Sequence, residues 1–454
     1  MNKNVSAKEG YKRATEFLGA VFLGAVALAC LMYLPDARAD EGLSQQIDAS
    51  VSAITARLIE TRRHIHQHPE LGNREIETAA YVATRLKSLG YEVHTGIAVT
   101  GVVGVMRFAR AGRAVALRSE LDALPVAEQV NVPFKSTVRT LYDGSDVGVM
   151  HACGHDAHMA ILLGVAEVLA GLRDSLSGSV ELIFQPSEEG APTGETGGAA
   201  RMIKEGVLDI EPKPNAIFGL HVFSQFDVGT VATRARGLMA GSDDFKIIVK
   251  GRQTHGAQPW NGVDPIVIAS QIILGLQTIP SRQLDITRAP VVITVGKISG
   301  GVKSNIIPDS VELIGTVRAL ESDMLTDALV RVERTAKDIA ASAGGSVDFS
   351  VDPNLHYKVT FNDPALTQQM QPTLQRVAGL GHVLDAIPVT GGEDFAEYQQ
   401  RIPGLFVFIG GRTSGAQAAD FPPNHSPRFQ IDEAALGFGV RTLTNLSVDY
   451  LMAR

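Results

Sequence analysis

The chain has 454 residues, 45% of them hydrophobic and 20% charged, which excludes a disordered or fibrous protein. At roughly 150 residues per domain it has room for two or three domains. Its net charge of −8 comes from 41 basic and 49 acidic residues, and the lack of a basic run argues against nucleic acid as a partner.

Residues 1–39 read as a secretory signal peptide. Lys3, Lys8, Lys12 and Arg13 precede an apolar stretch from Phe17 to Leu34, and Ala37-Arg38-Ala39 supplies a small-x-small cleavage site. The chain is therefore expected to be exported, periplasmic or secreted. A membrane contact follows only if the segment stays uncleaved, since about 18 apolar residues approach the spanning minimum. Its removal leaves 36 basic and 46 acidic residues, with Cys153 as the one cysteine, so no intramolecular disulfide is expected.

From Leu43, the residues Ile47, Val51, Ile54 and Leu58 recur at helical spacing, which predicts a helix ended by His68-Pro69. A second helix is predicted from Glu75 to Leu89, stopped by Gly90. Strands at 101–108, 114–117, 179–185 and 216–222 then alternate with helices near 157–171 and 198–205, the pattern of an α/β domain with a mostly parallel sheet flanked by helices. After about Gly237 the style becomes α+β, with strands Phe245–Val249, Val291–Val295 and Val311–Val317 and helices at 263–279 and 323–342. The first style returns from about 354, with a helix near 364–378, the strand Leu405–Ile409 and a last helix at 431–451. The expected organisation is a catalytic domain at 43–237 and 354–454, interrupted by a smaller α+β domain at 238–353.

The densest chemistry lies in Met150-His-Ala-Cys-Gly-His-Asp-Ala-His158, immediately before an apolar helix. Cys153 and His155 are two apart, and in a loop that spacing can aim thiolate and imidazole at one point, a ligand pair suited to borderline-soft divalent metals. A buried inert cysteine beside helix-capping histidines is the alternative for any one His and Cys, but three histidines with one cysteine favour the metal.

Glu188 and Glu189 follow the apolar strand Val180–Gln185, where α/β sheets place their sites. One acid can ligate a metal while its neighbour moves a proton, and a solvated acidic pair is the competing reading. His221 follows the apolar run Ala216–Leu220, and His425 lies in Pro422-Pro-Asn-His-Ser-Pro427. Each of these histidines reads as structural by itself. Together, Cys153, His155, Glu189, His221 and His425 are too many ligands for one tetrahedral ion and suit two.

Further stretches complete an ordered set: Arg63-His-Ile-His-Gln-His-Pro-Glu-Leu71, Ala116-Leu-Arg-Ser-Glu-Leu-Asp-Ala-Leu-Pro125, Phe184-Gln-Pro-Ser-Glu-Glu-Gly190, Ser304-Asn-Ile-Ile-Pro-Asp309, Gly391-Gly-Glu-Asp-Phe395 and His425-Ser-Pro-Arg-Phe429. The set resembles the dinuclear metal amidohydrolases and carboxypeptidases that include hippurate hydrolase and the hydrolases of auxin–amino acid conjugates. The resemblance implies that the five residues bind two divalent ions, zinc or manganese, and that Glu188 is the general base. It also implies that about 238–353 form a lid and dimerisation domain of a homodimer, in which His255 serves the oxyanion in the partner's site. Three departures stand out: Glu120 replaces the first Asp of Asp-x-Asp, Trp260 replaces a His, and the loop Ala191–Gly197 is long.

The expected function is metal-dependent hydrolysis of the amide of an N-acyl amino acid, or of a small peptide with a free carboxylate. A dipeptidase or carboxypeptidase of the same family is the alternative. Asn305 and Arg318 are candidates for gripping the substrate, the latter because a guanidinium matches a carboxylate with two hydrogen bonds. A Cys153-nucleophile amidase and a non-catalytic exported metal-binding protein are the rivals from other classes. Neither requires the spare acid that Glu188 provides.

Overall fold

The computed structural model describes residues 34–453. Residues 1–33 of the expected signal peptide lie outside the described residues, and among those described no helix is long and apolar enough to cross a membrane. Contacts divide the chain after Ala53, within the first helix, and every feature beyond that helix belongs to the unit Ile54–Arg454. The first helix, α1, spans Leu34–Gln67 and buries all four residues of its predicted apolar face, Ile47, Val51, Ile54 and Leu58.

The α/β layer is built from α2 (Ile76–Ser88), β1 (Glu92–Ile97), β2 (Gly101–Arg107), β3 (Arg110–Glu120), α3 (His155–Gly171), β4 (Ser177–Gln185), α4 (Gly198–Lys204), β5 (Ala216–Asp227) and β6 (Val231–Thr233). The chain then forms a separate sheet: β7 (Gly241–Lys250), β8 (Thr254–His255), α5 (Pro265–Leu276), β9 (Val291–Gly300), β10 (Ile306–Ile307), β11 (Ser310–Ala319), α6 (Ser322–Ser342) and β12 (Ser346–Tyr357). It returns with α7 (Pro364–Ala378), β13 (Val383–Asp385), β14 (Gly404–Arg412) and α8 (Ala434–Met452).

The larger sheet has the order β1-β2-β4-β3-β5-β14-β6-β13. Its centre, β4-β3-β5-β14, is entirely parallel, and β1 and β2 are antiparallel additions at one side. A parallel centre has to be covered on both faces. One face packs against α3 and α8, and α3 is accordingly buried nearly all round, from His155 to Leu169. The other face meets the cluster containing Ala199, Met202, Tyr398 and Phe406. The mostly parallel sheet expected from the alternating pattern is thus present, with the short strands β6 and β13 added.

The smaller sheet is antiparallel in the order β9-β11-β7-β12. On β11 the residues Val311, Leu313, Gly315, Val317 and Ala319 are buried and those between are half-exposed, the alternation of a one-sided sheet. α5 and α6 cover its inner face. In α6 the residues Met324, Leu325, Ala328, Val332, Ala336 and Ala340 form a single apolar stripe. The helix expected at 263–279 stops at Leu276. Asp264 caps its start, its side chain accepting from the Ile266 and Val267 N–H groups, with Pro265 in the first turn.

Candidate metal centre

The carboxyl ends of the parallel strands converge, and the candidate residues leave from there. β3 ends at Glu120 and β4 at Gln185, so Asp122, Glu188 and Glu189 lie on the turns that follow. His221 lies inside β5, which continues to Asp227 instead of ending at Val222. It nevertheless comes just past the last β3 pairing, Arg118 with Gly219, so it too faces the open end.

Gly154 explains how Cys153 and His155 meet. Its φ is +97°, and a Cβ there would come within 2.5 Å of a Val222 methyl, so only glycine makes this turn into α3. Ser187 (φ 54°) and His425 (φ 70°) also hold left-handed backbone, a strain found where a side chain must be aimed.

The five expected ligands come together. Cys153 Sγ lies 3.3 Å from His221 Nε2 and 3.2 Å from His425 Nε2, and His425 Nε2 lies 3.0 Å from Glu189 Oε1. Two groups of three, Cys153/His155/His221 and Cys153/Glu189/His425, each have their donor atoms within 4.8 Å, and they share the thiol. Glu188 stands beside them, with Oε2 3.8 Å from His155 Nε2.

The rear of the cluster is fixed by backbone. His155 Nδ1 donates to the Asp122 carbonyl at 2.8 Å and His221 Nδ1 to the Val222 carbonyl at 2.9 Å. In the neutral rings these bonds leave Nε2 with its lone pair toward the cluster, and buried His155 Nε2 has no hydrogen-bond partner. Asp122 Oδ2 accepts the Glu189 N–H at 2.9 Å, so one residue orients two of the ligands. Asn424 Nδ2 bonds to the carbonyls of Cys153 and Val222, and the His425 N–H donates to the Ala152 carbonyl.

The field there favours positive charge. Burial, then Glu189 and Glu188, push the Cys153 thiol well up. Burial opposes protonation of His155, yet its Asp122 hydrogen bond and the Glu120 and Asp122 charges push it up to about 10. Burial, then Glu393 and Glu189, raise Glu188 well above the carboxylate range. Buried N, O and S donors with orphaned lone pairs in a negative field fit a pair of borderline divalent cations.

Around this lies an ionic frame. Fully buried Arg118 bonds to Gln185, Glu120, Glu393 and Asp394. Glu120, the longer acid at its position, reaches His158 Nδ1 at 2.7 Å, while His158 Nε2 accepts the Val222 N–H. His158 is thereby saturated and is no ligand. Glu75 accepts the Ser187 N–H, and Asn73 Oδ1 accepts the Ser187 hydroxyl. The long loop is tied back by Glu195, which accepts from Asn73 and Arg74. Tyr357, at the end of β12, reaches the Glu188 carbonyl at 3.4 Å, and its ring lies where a Cβ on Gly392 would sit.

Three expected residues lie elsewhere, each bonded to groups outside the cluster. His255 is exposed on the β8-β10 ribbon, its Nδ1 accepting the Ala257 N–H. Exposed Asn305 is beside it, its carbonyl accepting the Gly256 N–H. Arg318 Nη1 donates to the Thr390 carbonyl at 2.7 Å, next to the loop bearing Glu393 and Asp394. Asn424, Glu75, Arg118 and Tyr357 were not singled out from sequence. Arg118 and Asn424 do fall within two of the sequence stretches already described, Arg118 two residues before Glu120 on its strand and Asn424 next to His425.

Residues 116–448 match the model of peptidase family M20/M25/M40. Thermostable carboxypeptidase 2 of Saccharolobus solfataricus is 38% identical over 409 residues, covering 90% of this chain and 99% of its own. The IAA-amino acid hydrolase ILR1-like 4 of Arabidopsis thaliana is 38% identical over 397 residues, 87% of this chain and 86% of its own. Among solved structures, the Bacillus subtilis YXEP protein, described as a dinuclear metal binding peptidase, aligns with TM-score 0.74 and 34% identity over 89% of this chain and 100% of its own. With the match spanning most of the sequence and the site geometry in agreement, the chain belongs to peptidase family M20/M25/M40.

Proposed function

We propose that this protein is a dinuclear-metal hydrolase of the amide bond joining an acyl group to an amino acid with a free carboxylate. The observation that carries the reading is the convergence of Cys153, His155, Glu189, His221 and His425 on one point, with Glu188 beside them. Those five residues would hold two divalent ions, zinc or manganese. When bound, the ions supply Lewis acidity toward the scissile carbonyl and toward water.

Glu188 takes a proton from the attacking water as the C–O bond forms, then delivers it to the nitrogen as the C–N bond breaks. Arg118 holds Glu393 and Asp394 in the same carboxylate cluster, and Asp122 and Glu75 fix the backbone on either side of Glu188.

The remaining part of the site belongs to the domain at about 238–353, read as a lid and dimerisation domain. β9 is an edge strand with Val292 and Ile298 exposed, and α5 exposes Ile266, Val267 and Leu274. A second copy of the chain covers this apolar edge. His255 then donates to the oxyanion in the partner's site, and Asn305 beside it grips the substrate. Arg318 braces the Thr390 loop. The basic start, apolar run and Ala-x-Ala of residues 1–39 support export to the periplasm or outside the cell.

The carboxypeptidase likeness supports a second reading, peptides as substrates. The ratio of kcat/KM for N-acyl amino acids to that for dipeptides separates the two. For the central proposal, Glu188→Gln is expected to keep its metal content while turnover falls about a hundredfold or more. Chelation should abolish wild-type activity, and zinc, manganese or cobalt should restore it. Activity surviving chelation would instead support a Cys153 nucleophile, and none under any condition a binding protein.

A further inference from the structure

The loop that carries His255 is closed at its base by a reciprocal backbone pair: the Arg252 N–H donates to Val263 O at 2.9 Å and the Val263 N–H to Arg252 O at 3.0 Å. Five residues beyond His255, the turn Pro259–Asn261 presents Trp260. The turn is built onto the histidine. The Gln258 N–H donates to the His255 carbonyl at 2.8 Å, the Thr254 hydroxyl to the Gln258 carbonyl at 3.3 Å, and the Asn261 amide to Gln258 Oε1 at 3.2 Å. His255 and Trp260 are therefore two side chains on one braced loop, with Asn305 on the adjoining strand edge.

Trp260 is the chain's one tryptophan and is 76% exposed. No buried apolar cluster includes it, and residues 255–261 are all exposed. An indole held in water on a fixed loop forgoes a large apolar contact, and it has few side-chain rotors to immobilise on binding. It is thus ready to cover a ligand in whatever site His255 enters.

We propose that Trp260 is a specificity-determining residue that packs against a planar apolar part of the substrate, in the site His255 serves. This rests on the hydrolase reading above and on His255 acting across the dimer. An N-acylated amino acid can carry such a group on its acyl part or on its amino-acid side chain, and the contact chemistry is the same for both.

The test measures kcat/KM of the metal-loaded wild type, Trp260→Ala and Trp260→Phe on N-acetylglycine, N-benzoylglycine and N-acetylphenylalanine. Trp260→Ala is expected to lose about tenfold or more on one aromatic substrate while N-acetylglycine stays within about twofold, and Trp260→Phe to recover most of the loss. The affected arm identifies the source of the planar group. Because no other tryptophan contributes, emission from the Glu188→Gln protein should shift to shorter wavelength when that aromatic substrate saturates it. An equal loss on all three substrates, as from a dissociated dimer, overturns the inference, as does no loss on any or an unmoved emission maximum. A wild type that hydrolyses none of the three overturns the N-acyl amino acid reading above and takes this inference with it. Hydrolysis of N-acetylglycine with no selective loss overturns this inference alone.

Discussion

The α/β layer and the antiparallel insert hold their candidate residues in opposite ways. Cys153, His155 and His221 are buried, and the rear nitrogen of each ring is tied to a backbone carbonyl. His255, Asn305 and Trp260 stand exposed on a two-strand ribbon and its loop. Burial with fixed tautomers pre-forms a site before any ligand arrives, at the cost of confining negative charge. Exposure leaves side chains available to another surface. Under the dimer proposed above, each chain holds one half-site and displays the other.

The sharpest way to break that view is to separate the halves. Glu188→Gln and His255→Ala homodimers should each be nearly inactive. A mixed dimer contains one site with an intact base and an intact partner His255, so subunit exchange should lift activity from background to as much as about half of wild type. Verified heterodimers as inactive as their parents, or a fully active wild-type monomer, would reject the shared site.

A smaller effect separates the regions by metal content. Cys153 Sγ belongs to both groups of three donors, so Cys153→Ala should weaken both metal positions, by about a hundredfold or more in affinity. His255→Ala should leave metal content unchanged. Metal analysis after dialysis checks both, and full occupancy in Cys153→Ala would refute the ligand set.

The same contrast explains what sequence could show. The His151–His158 cluster was legible because its residues are neighbours and Gly154 marks the turn between them. Glu188 and Glu189 were legible because a strand ends just before them. The frame behind the ligands was not. Arg118 with Asp394 and Asn424 with Cys153 join positions more than 250 residues apart, and no local periodicity reports such pairs. β6 and β13, three residues each, are too short to alternate visibly. The extension of β5 beyond Val222 to Asp227 escaped because its inner partner β3 departs earlier while β14 pairs onward.

The buried layer also has a weak point that the insert lacks, and it sets the smallest expected effect. Glu120 and Glu181 are both buried carboxylates of the central sheet. Glu120 is held well below the usual range because Arg118 and His158 outweigh its burial. Glu181 pairs in register with Val105 and Ala116, so its side chain shares their face, the one lined by Met202 and Val207. Neither of its oxygens has a hydrogen-bond partner, and burial pushes it up to about 8. The folded chain thus keeps the proton in a range where the unfolded chain has released it. Unfolding then releases a proton between roughly pH 4.5 and 8, so stability falls as pH rises through that window, by about 1.4 kcal/mol per unit. The contribution is complete below the unfolded value and lost above the folded one. Glu181→Gln cannot ionise, so its melting temperature should decline less with pH than wild type's, the two curves nearly meeting near pH 5 and separating by several degrees at pH 8. Parallel melting curves across that range would show that Glu181 finds a partner or water in the fold, and that the apolar face tolerates its charge.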